Sequence, residues 1–145
     1  MILNVIILIS LYLYLIICSI TDIKTRKINL KICIIFFLLG LFINMFIIKC
    51  DIQILLYNLI PGILLLFISI LTKGASGCGD AVIFIIMSFY LSSVSTFIIW
   101  FMSLSAASLF SIILIIKKFS RKYALPFAPF ITFGFTLFIL LNFLS

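Results

Sequence analysis

The sequence contains no histidine and no glutamate, and its only acidic side chains are Asp22, Asp51 and Asp80. Without histidine there is no Ser-His-Asp triad, no Cys–His dyad, no histidine-ligated haem and no HExxH zinc site. Any carboxylate chemistry therefore falls to three aspartates. Charge of either sign is scarce: ten basic and three acidic side chains make up 9% of 145 residues, against roughly 25% in a soluble domain. So few charges cannot cover a surface that faces water, which excludes an ordinary soluble domain. An apolar share of 67% excludes disorder. The four cysteines, Cys18, Cys33, Cys50 and Cys78, form no CxxC pair and lack metal-ligand spacing. They read as small packing residues, and no metal or cofactor is expected.

What is present is a series of long apolar runs, with a mean hydropathy of +1.56. A bilayer core of about 30 Å needs about 20 apolar residues as helix. The runs predict an all-α, polytopic membrane protein with six transmembrane helices, at about 2–21, 32–48, 54–72, 81–93, 97–116 and 126–144, forming one membrane-embedded domain over 1–145. The first run has no basic segment before it and no A-x-A-like cleavage site, so it reads as a retained span rather than a signal peptide. Pro61-Gly62 should kink the third span. From Ala81 to Ile116 there are 36 uncharged residues, too many for one span. The cluster Ser92, Ser93, Ser95 is the expected turn between two.

Basic residues sit in short clusters beside these runs. Nine of the ten fall in the loops after spans one, three and five, and only Lys49 lies in the loop after span two. The positive-inside rule then puts those three loops in the cytoplasm and both termini outside. The net charge of +7 is explained by this topology, so nucleic acid is not an expected partner. The lipid bilayer is one, because basic clusters at helix ends also bind anionic headgroups.

This topology sorts the acids. Asp22 directly follows the first apolar run and Asp80 directly precedes the fourth, so both stand at the cytoplasmic face. Asp51 stands on the other side and reads as a solvated loop acid. Two carboxylates at one site share a proton, because like charges about 3 Å apart cannot both ionise. The ionised one can take a proton from water while the protonated one polarises a carbonyl. At helix ends both acids avoid most of the roughly 2.5–3.5 kcal/mol that a charge costs at the bilayer centre. The start of the fourth helix favours an ionised Asp80 by about 0.3–1 kcal/mol, which predicts Asp80 as the ionised member and Asp22 as the protonated one. The segment Gly77-Cys78-Gly79-Asp80 adds glycines that permit unusual backbone and close approach.

Three segments together resemble the type IV prepilin leader peptidases, the GxGD class of membrane aspartic peptidases. They are Thr21-Asp22-Ile23-Lys24-Thr25-Arg26-Lys27-Ile28-Asn29, then Gly77-Cys78-Gly79-Asp80, then Leu125-Pro126-Phe127-Ala128-Pro129-Phe130 ahead of Gly134. The resemblance covers essentially the whole chain. It implies an endopeptidase at the cytoplasmic (inner) membrane that removes basic leaders from prepilins, pseudopilins or flagellin-like precursors. It implies Asp22 and Asp80 as the catalytic pair, supported by Gly77, Gly79, Pro126 and Pro129. Two positions depart from the family pattern: Asn29 follows Ile28 with no proline between, and Val82 stands where members often carry lysine. The cysteine-bearing insertion of longer members is absent, which implies the short form, with no methyltransferase activity and no zinc.

Other readings compete. A non-enzymatic component of a pilus or secretion machine would use the same topology without needing the acid pair. A transporter would place ionisable groups near mid-membrane, whereas here the spans carry neutral polar groups such as Asn44, Tyr57 and Asn58. Ser69 and Lys73 lie one helical turn apart and could form a serine–lysine pair. A presenilin-type GxGD protease fits the short length and the Pro-Phe segment less well.

Overall fold

The computed structural model describes residues 2–26, 28–48, 51–72, 77–117 and 125–144. Lys27, Lys49, Cys50, Lys73, Lys118, Arg121 and Lys122 lie outside the described residues, as does most of the charge count behind the topology. All regular structure among the described residues is helical: α1 (Ile2–Thr25), α2 (Leu30–Phe42), α3 (Ile52–Asn58), α4 (Ile60–Leu71), α5 (Cys78–Met87), α6 (Ser93–Ile116) and α7 (Ala128–Leu144). Three helical stretches are long and apolar enough to cross a membrane: Val5–Thr25, Leu30–Ile48 and Ser93–Ile116. The bent pair α3–α4 makes a fourth if it counts as one span, while α5 and α7 are shorter apolar helices.

Local chemistry explains where the boundaries differ from expectation. α1 runs four residues past the expected end at 21. The Thr21 hydroxyl donates to the carbonyls of Ile17 and Cys18 (3.0 and 2.9 Å), and Thr25 donates to Thr21 (2.8 Å), so these polar residues stay helical. The helix ends at Arg26, whose φ of 52° is left-handed and whose N–H returns to the Asp22 carbonyl at 2.9 Å. That is an αL cap made without glycine. α2 starts at Leu30 because Asn29 caps it, its side chain accepting from the Lys31 N–H at 3.1 Å. It continues as a π-helical stretch, Ile43–Ile48. There the buried Asn44 amide donates to the carbonyls of Gly40 (2.8 Å) and Phe89 (2.6 Å), tying this helix to the turn after α5.

The expected kink is present. α3 and α4 meet at 42° around Leu59, with Pro61 in the first turn of α4. Proline removes a donor and crowds the carbonyl four residues earlier, so the break falls just before it. The uncharged stretch 81–116 does divide, but unevenly. Helix α5 covers only ten residues and α6 covers 24. The chain turns over 88–92, and the serine cluster begins α6 rather than forming the middle of the turn. Ser92 is its N-cap, accepting from the Ser95 N–H at 3.3 Å, and the Asn58 side chain accepts from the Ser93 N–H at 3.0 Å. α7 likewise starts at Ala128, two residues later than expected.

α7 packs against α1 on one side and α6 on the other, α4 packs on α5, and α2 leans on α5. The core between them holds Leu11, Tyr14, Phe84, Met87, Ile131 and Phe135. Close helix approach uses small residues, as in membrane bundles. A β-carbon on Gly62 would lie 2.8 Å from the Ile85 backbone, and one on Gly134 would lie 3.1 Å from the Ile99 carbonyl oxygen. Ile6, Leu13, Leu38, Phe67 and Phe101 point outward, an apolar exterior that suits lipid. Three buried hydroxyls are satisfied locally: Ser88, Thr96 and Ser103 each donate to the carbonyl four residues back. Cys18 and Cys33 are buried free thiols, and the Tyr14 hydroxyl lies 3.6 Å from the Cys33 sulfur. These two match the reading of the cysteines as packing residues, whereas Cys78 departs from it, being exposed at the start of α5.

Candidate active site

The end of α1, the start of α5 and the approach to α7 converge on one cleft of about 640 Å³. Asp22 enters it from the last turn of α1 and Asp80 from the first turn of α5. Asp51 does not line it. That residue is exposed, at the N-terminal boundary of α3, where its backbone carbonyl accepts from Leu55 at 3.1 Å. The three segments that carry the resemblance, separated by tens of residues in the chain, thus share one wall-to-wall space.

The glycines of the second segment have distinct jobs. Gly77 has φ +60°, a conformation that disfavours any side chain. A β-carbon there would also fall 2.6 Å from the Asp80 Oδ2, so the carboxylate rests against the bare α-carbon. The Asp80 N–H donates to the Gly77 carbonyl at 3.1 Å, closing this turn into α5. Gly79 gives room to the loop after α1: a β-carbon there would meet Ile28 Cδ1 at 2.5 Å. The first and second segments are therefore in contact through Ile28 and Gly79.

The third segment meets the first through a hydrogen bond. The Ala128 N–H, at the first residue of α7, donates to Asp22 Oδ2 at 3.1 Å. Pro126 lines the cleft beside Leu125 and Phe127. Pro129 lies within the first turn of α7, where a missing N–H leaves no bond unmade.

Asp80 stands ahead of the expected span and outside the stretches long enough to cross a membrane. Burial first, and the charge of Asp22 second, push its carboxyl up from 3.8 to about 7. This direction runs against the expectation that the helix start favours an ionised Asp80. Removing a carboxylate from water outweighs a dipole effect of about 0.3–1 kcal/mol.

Sequence reasoning missed three features of the cleft. Arg26 lines it, although the basic stretch reads from sequence as a lipid and topology signal. Its non-glycine αL backbone has no sequence signature. Ile28 and the Ala128 N–H were equally hidden, because each acts through a contact with a distant segment. Val82 also lines the cleft and gives it an apolar wall. Of the serine–lysine candidates, Ser69 is fully buried and donates to Cys78 Sγ at 3.2 Å, and Lys73 lies outside the described residues.

The helical architecture, its apolar exterior and the cleft lined by two aspartates define a membrane protein with two acids in one pocket. Residues 9–144 match the type IV leader peptidase family, and the chain belongs to that family. It is accordingly a membrane peptidase of that kind. No curated relative and no solved structure matches it.

Proposed function

We propose that the chain is an aspartic-type endopeptidase that removes the basic leader from prepilins, pseudopilins or flagellin-like precursors at the cytoplasmic face of the inner membrane. In this reading Asp22 and Asp80 are catalytic, Gly77, Gly79, Pro126 and Pro129 shape the site, six apolar helical segments cross or enter the membrane, and both termini lie outside. The observation that carries it is the joint lining of one cleft by Asp22 and Asp80, with Asp51 elsewhere.

The chemistry balances on one shared proton. The ionised carboxylate takes a proton from water as the water oxygen bonds to the scissile carbonyl carbon. The protonated carboxyl gives its proton to the carbonyl oxygen, forming a gem-diol. The C–N bond then breaks as the first carboxyl protonates the leaving amine and the second recovers a proton from a diol hydroxyl. The pair ends as it began, and the two titrations belong to the pair rather than to either residue. Beside the cleft, sharing Leu125 and Pro126 with it, lies an apolar groove of about 370 Å³ walled also by Phe110 and Leu114. Such a neighbour suits a substrate whose cleavage point abuts an apolar helix.

The test is processing of a panel of co-expressed prepilins in membranes, read as the mobility shift of leader loss. Wild type and Asp51→Asn should cleave, and Asp22→Asn and Asp80→Asn should not. Cleavage at the wild-type rate by either of the latter two rejects the acid pair. No cleavage of any precursor by wild type favours a non-enzymatic assembly component.

A further inference from the structure

We propose that the backbone N–H of Ala128 is a positioning group for Asp22, fixing Oδ2 so that Oδ1 acts as the base on the attacking water. This rests on the peptidase reading above and adds a role for the third segment that its prolines do not supply.

The geometry is specific. α7 begins at Ala128, and the carbonyl of Phe127 accepts the first helical bonds, from Phe130 at 2.9 Å and Ile131 at 3.2 Å. The N–H groups of a helix's first turn have no partner within the helix. Pro129 has no N–H, so Ala128 is the first donor this turn presents, and it is turned on Asp22 Oδ2 at 3.1 Å. Ala128 itself is almost fully buried, 1% exposed, so water does not compete freely for that N–H.

The two carboxylates are held differently. Asp22 accepts a main-chain donor from another helix, while Asp80 rests on the α-carbon of Gly77. The Ala128 N–H anchors one oxygen of Asp22, and anchoring one oxygen orients the other, as a general base needs. Burial pushes the Asp80 carboxyl up, which favours the shared proton resting on that side of the pair. The other charged or titratable groups lining the cleft are Arg26 and Cys78. Neither lies on α7, so the contact from that side comes from the main chain. α7 in turn is clamped against α1 and α6, which makes the donor rigid.

The test compares Ala128→Pro, which deletes the N–H at a helix position where proline is tolerated, with Ala128→Gly, which keeps it. Cleavage of a prepilin in detergent should show kcat for Ala128→Pro at least tenfold below that for Ala128→Gly, with KM within about threefold. Equal kcat for the two variants overturns the proposal, as does a loss confined to KM. A second measurement does not depend on activity or on the proline variant folding. The pair Phe127-Ala128 is the only Phe-Ala step in the sequence, so labelling phenylalanine carbonyl carbon and alanine nitrogen yields one amide signal by NMR. That signal should shift in Asp22→Ala and stay in Asp51→Ala. A signal blind to Asp22→Ala overturns the contact. If wild type cleaves no precursor while the signal still tracks Asp22, the peptidase reading fails and the contact stands.

Discussion

The Asp80 carboxylate lies against the α-carbon of Gly77: a β-carbon on that glycine would come 2.6 Å from Oδ2. The same glycine holds φ +60°. Gly77→Ala therefore meets two penalties, a left-handed backbone worth roughly 1–2 kcal/mol and displacement of the carboxylate. A shift of about 1 Å in a catalytic group can cost on the order of 100-fold in rate. We expect Gly77→Ala to lower precursor cleavage by about that factor and thermal stability only modestly. Gly79→Ala should do less, since the obstructing atom is the flexible end of Ile28, and Ile28→Val should restore part of the loss. Rate assays on the three variants and the Gly79→Ala/Ile28→Val double variant check this. Equal damage from Gly77→Ala and Gly79→Ala would contradict it.

Asp80 makes stability depend on pH in a definite direction. Its folded value is raised from 3.8 to about 7, chiefly by burial. Between those values the folded chain holds a proton that the unfolded chain has lost. The unfavourable buried charge is thus absent near pH 4, grows as pH rises, and is fully felt above about 7. Asp80→Asn removes it. Thermal unfolding in detergent should show Asp80→Asn more stable than wild type at pH 8, with the advantage shrinking at pH 5. An advantage independent of pH would sink this account. The same titration should give the wild-type cleavage rate a falling alkaline limb near pH 7.

That Asp22 and Asp80 share a cleft is legible because an apolar run ends at one and another begins at the other. The break near Pro61 was legible because proline's effect is local. What escaped is what depends on remote partners. The length of α5 is set by a turn that Asn58 and Asn44 brace from other helices. Asp22 meets Ala128 across 106 positions of chain. Arg26 enters the cleft on a backbone conformation that its residue type does not announce. The upward push on the Asp80 carboxyl is not legible, because a helix start is visible in sequence and burial is not.

Gly134 fixes how closely α7 approaches α6. A β-carbon there would lie 2.5 Å from Ser103 Oγ and 3.1 Å from both the Ile99 carbonyl oxygen and the Ser103 nitrogen. A side-chain oxygen can rotate away, but backbone cannot. Gly134→Ala should therefore destabilise by roughly 1–3 kcal/mol, the usual range for overpacking. Adding Ser103→Ala should recover only the smaller, side-chain part. Because α7 also carries Ala128, cleavage should fall more than stability alone predicts. Unfolding curves and rates on the single and double variants test this, and full recovery by Ser103→Ala would show that the backbone contact is not limiting.

Cys78 offers a chemical handle on the cleft. It lies between the two glycines, is exposed and lines the cavity, whereas Cys18 and Cys33 are buried at 2% and 3% exposure. A thiol reacts where it is accessible, so a neutral maleimide should label Cys78 and spare the other two. With Cys50 replaced by serine, labelling should reach one equivalent per chain. The adduct then occupies part of a space of about 640 Å³ that also holds both acids, and cleavage should fall in step with labelling. Cys78→Ser in the same background should remain active and insensitive to the reagent, since serine fits the same turn. Mass spectrometry locates the adduct while the prepilin mobility shift follows activity. Full activity in a chain fully labelled at Cys78 would mean that substrate does not pass through this cleft, and the site would have to be sought elsewhere.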